Sequence, residues 1–187
     1  MSKPPITLAM VYECFASALP GEGRAEDVLR SLDVDDYQDW VMYPEFARWA
    51  EQAGQPQFAG LFRKVGGQDR LHPIWLRELY RRLGETERGD EDQRAVEAIM
   101  AIRARGDELI ALNPEGLVEK ALLVAVGVEQ RDYLETYPRY RDRALREGNT
   151  DAAAVYQRAI DTACEHAEWF RQALEELRAR LSRSALA

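Results

Sequence analysis

The sequence predicts an all-α protein, a four-helix bundle built from two repeated helix pairs with a long helical crossover between them. Three observations carry this prediction. Residues 43–83 recur as 137–177 at a constant offset (137 − 43 = 94 and 166 − 72 = 94) with no gap. Tyr43-Pro44 meets Tyr137-Pro138, Gly54 meets Gly148, Phe62 meets Tyr156, His72 meets His166 and Trp75 meets Trp169; self-similarity of this kind fixes an architecture before any other feature does. Apolar residues in both copies return every three or four positions, which is the period of a helix, and no stretch alternates as a strand would. Between the copies, residues 84–113 are long enough to cross the bundle and relate the two pairs by a pseudo-twofold.

The elements follow in order. Residues 1–5 read as a tail, and 6–19 as a short helix with Leu8, Val11, Tyr12, Phe15 and Leu19 on one side, ended by Pro20-Gly21. The first long helix spans about 24–53 and turns Val28, Leu32, Asp35, Asp39, Met42, Phe46 and Ala50 to one face, with a kink expected at Pro44. Gly54-Gln55-Pro56 is its stop. The second spans about 57–83 with Phe58, Phe62, Val65, Asp69, His72, Leu76, Leu79 and Leu83 inward, and Gly66-Gly67 and Pro73 are expected to break or kink it. A polar loop at 84–92 leads to a connecting helix at 93–105, and 106–113 links onward. Asn113 reads as the N-cap of the third long helix, with Pro114 at its first position. That helix runs to about Glu147, with Leu122, Val126, Glu129, Tyr133, Thr136 and Tyr140 inward and a kink at Pro138. Thr150 or Asp151 caps the fourth, whose inward stripe is Ala152, Tyr156, Ala159, Ala163, His166, Phe170, Ala173 and Leu177. All 187 residues read as a single domain, with helix-pair repeats at about 24–83 and 114–180.

Composition narrows the function. Hydrophobic residues are 46% and charged residues 31%, as in a soluble globular chain, and the net charge of −8 with no basic stripe argues against nucleic acid or an anionic membrane as partner. The longest apolar run, 121–126, is far short of the roughly 20 residues that span a bilayer, and no signal peptide is visible. Cys14 and Cys164 form no CxxC pair, so a reducing, cytoplasmic setting is expected.

The chemistry lies in the bundle core. A two-metal centre there takes one carboxylate from each of two helices and a Glu-x-x-His pair from each of the other two. Three-residue spacing sets carboxylate and imidazole on one face, a turn apart. Oxygen donors suit hard cations, and imidazole suits iron, zinc or copper. The chain offers Asp35 on the first long helix, Asp69 and His72 on the second, Glu129 on the third and His166 on the fourth, while Ala163 stands where the last carboxylate belongs. Any one of these acids alone reads better as a partly exposed or salt-bridged group; three together on inner stripes are harder to dismiss so, because an unpaired buried carboxylate is costly. The histidines also read as hydrogen-bonded core residues kept from an older site. Asp39 reads as the edge of the polar face rather than a substitute ligand, Glu165 only as the lesser alternative of swinging inward for the carboxylate missing at Ala163, and Cys164 as a small core residue. Tyr37, Tyr133 and Tyr156 read as packing residues, and Trp75 and Trp169 as bundle or interface residues.

Met42-Tyr43-Pro44-Glu45-Phe46-Ala47, followed by Gly54, Leu61-Phe62-Arg63 and Asp69-x-x-His72, resembles rubrerythrin, of the ferritin-like di-iron superfamily. The second copy, from Tyr137-Pro138 through Gly148 to Cys164-Glu165-His166, is similar to a more diverged form of the same pattern. The resemblance implies a ferritin-like bundle, two irons (with manganese or zinc as alternatives), reaction with dioxygen or peroxide, a small-molecule substrate and a homodimer. By position it implies metal ligands at Asp35, Asp69, His72, Glu129 and His166, with Asp132 where rubrerythrins often carry a further glutamate and Gln38 at the matching place in the first copy. Against the family pattern, two aspartates replace glutamates, Ala163 cannot ligate, and no rubredoxin-like CxxC pair follows the bundle. The expected function is a non-haem di-iron oxidoreductase: peroxidase, oxidase or oxygenase. The alternative is a metal-free bundle acting as a binding or structural module, and a third reading is a mononuclear or dizinc hydrolase.

Overall fold

The computed structural model describes residues 3–16, 41–69, 71 and 92–185. Asp35, Gln38, Asp39, His72, Pro73 and Trp75, with the stretches expected to be helical at 24–40 and 72–83, lie outside the described residues. Among the described residues every regular element is helical, and no helix is long and apolar enough to cross a membrane.

Helix α1 (Leu8–Ala16) begins two residues later than the sequence suggested, because Thr7 caps it: its Oγ1 accepts the Met10 N–H at 3.2 Å. It buries Val11 and Cys14 against the crossover and the third long helix. Helices α2 (Tyr43–Gln52) and α3 (Pro56–Asp69) form the first hairpin. Gly54 sits at φ +69°, the Gln55 N–H donates to the Ala50 carbonyl at 2.8 Å, and the Gly54 N–H donates to that of Glu51 at 2.9 Å. That pair of bonds satisfies the last free carbonyls of a helix and needs a left-handed residue, which favours glycine. The second copy repeats it: Gly148 has φ +74°, with bonds from Asn149 to Ala144 at 2.8 Å and from Gly148 to Leu145 at 3.1 Å.

Contrary to expectation, Gly66-Gly67 do not break α3, which runs through to Asp69. Each glycine costs a helix about 1 kcal/mol, but Phe58, Phe62, Val65 and Asp69 bury one continuous face, and tertiary packing outweighs propensity. The crossover is also longer than predicted. Helix α4 (Asp92–Leu112) absorbs most of the expected link at 106–113. Gly106 lies inside it because a Cβ there would collide with the Trp49 indole; the glycine permits close approach rather than ending the helix.

Asn113 and Pro114 start α5 (Pro114–Arg131) as predicted, the Asn113 side chain accepting the Gly116 N–H at 3.0 Å. In place of a simple kink at Pro138, a π-helical turn, Asp132–Thr136, joins α5 to α6 (Tyr137–Arg146). Proline has no N–H, so the carbonyl four residues before it loses its helical partner, and the wider turn falls just ahead of it. One residue is thereby added to the turn and the buried stripe changes phase. Glu129, Asp132, Tyr137 and Ala144 are buried, whereas the predicted Tyr133, Thr136 and Tyr140 are half-buried. Val41-Met42, ahead of Tyr43-Pro44, are π-helical in the same register of the repeat (41 + 94 = 135).

Helix α7 (Thr150–Ala185) is capped by Asn149, not by Thr150 or Asp151: its Oδ1 accepts the Ala152 N–H at 3.0 Å. All eight predicted inward residues, Ala152 to Leu177, are buried. Cys164 is exposed, not a core residue, because one step along a helix turns a side chain by about 100° away from buried Ala163. Helix α7 packs on α3, α5 and α6, and α2 packs on α5. The core between them is aromatic: Tyr43 stacks on Phe170 at 5.6 Å between centroids, and Phe62 lies 5.3 Å from both Phe46 and Phe170. Such pairs add roughly 0.5–1.5 kcal/mol each beyond burial.

Candidate metal centre

Three of the predicted site residues converge at this core. Asp69 is the last residue of α3 before the described stretch breaks off, Glu129 lies in the last turn of α5 before the π turn, and His166 is midway along α7. They come from three different helices, all are buried, and each offers a donor atom within 4.8 Å of the others. His166 Nδ1 is 3.0 Å from Asp69 Oδ1 and 3.6 Å from Glu129 Oε2. Although fully buried, Nδ1 makes no hydrogen bond of good geometry with either. On the other edge of the ring, Nε2 lies 3.0 Å from Gln68 Oε1, and the Trp169 ring packs on the imidazole at 5.3 Å between centroids. Half-buried Trp169 in turn carries Lys64, whose Nζ is 3.4 Å from the ring centre. The Tyr43 hydroxyl donates to Glu129 Oε1.

The electrostatics follow from crowding acids where there is no water. Burial first, and then the charge of Asp69, push the Glu129 carboxyl up to about 8, against the opposing pull of His166 and Tyr43. Burial works against the His166 imidazolium, but contact with Asp69 and Glu129 more than offsets it and raises the ring to about 9. Burial and the neighbouring Glu129 carboxylate hold the Tyr43 hydroxyl in its protonated, donating form. With these raised values, protons on His166 and Glu129 balance the crowded acids. A divalent cation would do the same with better geometry, since two carboxylates and an imidazole suit iron, manganese or zinc. The donor set and the orientation of Nδ1 therefore fit a metal.

The other predicted residues fall elsewhere. Asp132 is buried one turn beyond Glu129 with its carboxylate 3.2 Å from the Arg131 guanidinium, and it is not among the three that converge. Glu165 is exposed and does not replace the carboxylate missing at buried Ala163. Asp35 and His72 lie outside the described residues. Sequence reasoning missed Tyr43 and Gln68 as site residues. Tyr43 had a signal in the repeated Tyr-Pro pair; Gln68 had only its place beside Asp69.

A match to the rubrerythrin family covers residues 36–174, most of the chain. The chain belongs to the rubrerythrin family. It is 29% identical over 163 residues to symerythrin from Cyanophora paradoxa, spanning 87% of this chain and 89% of that relative. Its structure is similar to the crystal structure of symerythrin from the same organism, reduced with dithionite, with a TM-score of 0.74 and 25% identity over 95% of this chain and 97% of that one. The fold of this rubrerythrin-family chain is accordingly all-α and ferritin-like, as the repeat and the resemblance implied.

Proposed function

We propose that the protein is a non-haem di-iron, or di-metal, oxidoreductase that reacts with dioxygen or peroxide. The observation that carries this reading is the buried meeting of Asp69, Glu129 and His166, three donors within 4.8 Å. Family membership supports it, as does a relative whose crystal structure was obtained in a dithionite-reduced form. Asp69 and Glu129 would supply carboxylate oxygens and His166 its Nδ1, with Asp35 and His72 completing the set by their places in the repeat. Iron, when bound, supplies the redox change and open positions at which small oxygen species react. The chain does the rest. Tyr43 orients Glu129 by donating to Oε1 and leaves Oε2 facing the centre. The rings of Tyr43, Phe62 and Phe170 keep water from that side. Ala163 stands where the first repeat carries Asp69, so α7 brings no carboxylate of its own at that place beside His166. Free thiols at Cys14 and Cys164 are consistent with action in the cytoplasm.

One observation favours the second reading, a metal-free bundle serving as a binding or structural module: the His166–Asp69 pair is already charge-matched without a metal. Metal analysis separates the two. Protein expressed with iron and purified without chelator should carry about two irons per chain, as in bundles of this kind, and a His72→Ala/His166→Ala variant should lose them. Peroxide and dioxygen consumption should follow the iron content. An iron-free protein whose variant folds equally well would sink the oxidoreductase reading.

A further inference from the structure

His166 is gripped on every side, and its two nitrogens face different chemistry. Nδ1 looks at Asp69 and Glu129, while Nε2 looks at the side-chain oxygen of Gln68 at 3.0 Å. Gln68 and Asp69 are neighbours on α3, so that one helix presents an amide to one edge of the ring and a carboxylate to the other. A metal-binding imidazole must offer one nitrogen as a lone pair, and the hydrogen bond at the other nitrogen decides which. An amide oxygen only accepts, so it keeps a proton on Nε2 and leaves Nδ1 available. Turned over, the same amide would donate to Nε2 and drive the proton onto Nδ1, where it would block the carboxylate side.

We propose that Gln68 is a positioning residue whose amide oxygen holds His166 in its Nε2–H tautomer, so that Nδ1 is the atom given to the metal. The proposal rests on the metal-centre reading above. Gln68 is a feature of the first copy alone. The residue 94 positions on is Thr162 (68 + 94 = 162), and its hydroxyl donates to the Arg158 carbonyl of its own helix at 2.8 Å. The repeat thus does not reproduce the amide, and Gln68 marks His166 as the histidine whose nitrogen is chosen in advance.

The test is nitrogen-15 NMR of the imidazoles in the full-length protein loaded with zinc, a diamagnetic probe, near neutral pH. The expected result is a protonated Nε2 and a metal-bound Nδ1 for His166. Gln68→Leu should weaken zinc binding by about 10- to 100-fold, as loss of a ligand's outer partner does. Gln68→Glu keeps an acceptor at the same place and should retain both the tautomer and the affinity. Zinc on Nε2, or a Gln68→Leu affinity within twofold of the wild type, would overturn the assignment. If zinc does not bind the wild type, the metal-centre reading fails. The assignment of Gln68 then fails with it. Zinc bound to the wild type through Nε2, or bound equally well by Gln68→Leu, would instead overturn Gln68 and leave the metal-centre reading standing.

Discussion

Where the first half of the molecule has Phe46, Phe58, Phe62 and Val65, the second has Tyr140, Ala152, Tyr156 and Ala159. Where the first has Glu45, Trp49 and Asp69, the second has Arg139, Arg143 and Ala163. Yet the backbone devices match: a π turn ahead of Tyr-Pro, a left-handed glycine closing the helix, and an abrupt reversal into the next one. The comparison teaches that a few prolines and glycines are enough to preserve the path of the chain. The side chains between them are free to trade volume and charge. The first half became a dense aromatic core. The second is built from alanines and stacked tyrosines, Tyr140 on Tyr156 at 5.4 Å. The centre between them is lopsided for the same reason, taking a carboxylate from α3 but none from the matching place on α7.

The largest effect that tests this picture is a pH dependence. His166 is raised from 6.5 to about 9 and Glu129 from 4.5 to about 8 in the metal-free protein. Both pKa values are raised, so the stability these groups contribute is complete below their ordinary values and is lost as pH climbs through the folded ones. Unfolding free energy by denaturant titration should therefore fall by several kcal/mol between about pH 5 and 9.5, and a His166→Ala/Glu129→Gln variant should flatten the profile. Stability that rises over this range would mean that the crowded acids are not balanced by protons.

Ala163→Asp goes further and restores the symmetry that drift removed. Without metal it buries one more acid beside Asp69 and Glu129 and should cost about 2 kcal/mol. Excess zinc should shrink that penalty, because a ligand bound only by the folded state stabilises it. Equal penalties with and without zinc would show that position 163 does not serve the centre.

The smallest effect bears on the shared backbone. Gly54→Ala and Gly148→Ala meet open space, so only the left-handed conformation opposes them. Each should cost about 1 kcal/mol, and thermal unfolding should give values that agree to within a few tenths. Clearly unequal penalties would break the claim that the two hairpins are held alike.

What the sequence could reveal follows from the range of each interaction. The fourth helix's inward stripe, the closing glycines and the Asn113 cap depend on neighbours within a turn or two, and all were legible. The centre was partly so, because Asp69, Glu129 and His166 lie on helical stripes that can be counted. Gly106 was misread as part of a link because its use depends on Trp49, far away in the chain. The inward positions after Glu129 were misread because a π turn moves the phase by one residue. Gln68 carries no pattern of its own, and the repeat marks Tyr43 without giving its role; each matters through a partner, His166 or Glu129, 98 or 86 residues distant.

The crossover has one more consequence. Helix α4 packs on α1, α2 and α5, and its seat on α2 is a specific one: Gly106 lets it lie against Trp49, buried Glu45 takes the Trp49 N–H at 2.9 Å, and Arg48 reaches Asp107 at 2.5 Å. The second repeat has arginines where Glu45 and Trp49 would be, and it offers no such seat. Two identical hairpins brought together as separate chains would have had no left or right. Fusing them through a segment that meets the two pairs through different side chains ended that equivalence, and it gave each later substitution, Asp69 kept here and Ala163 there, a side of its own to settle on.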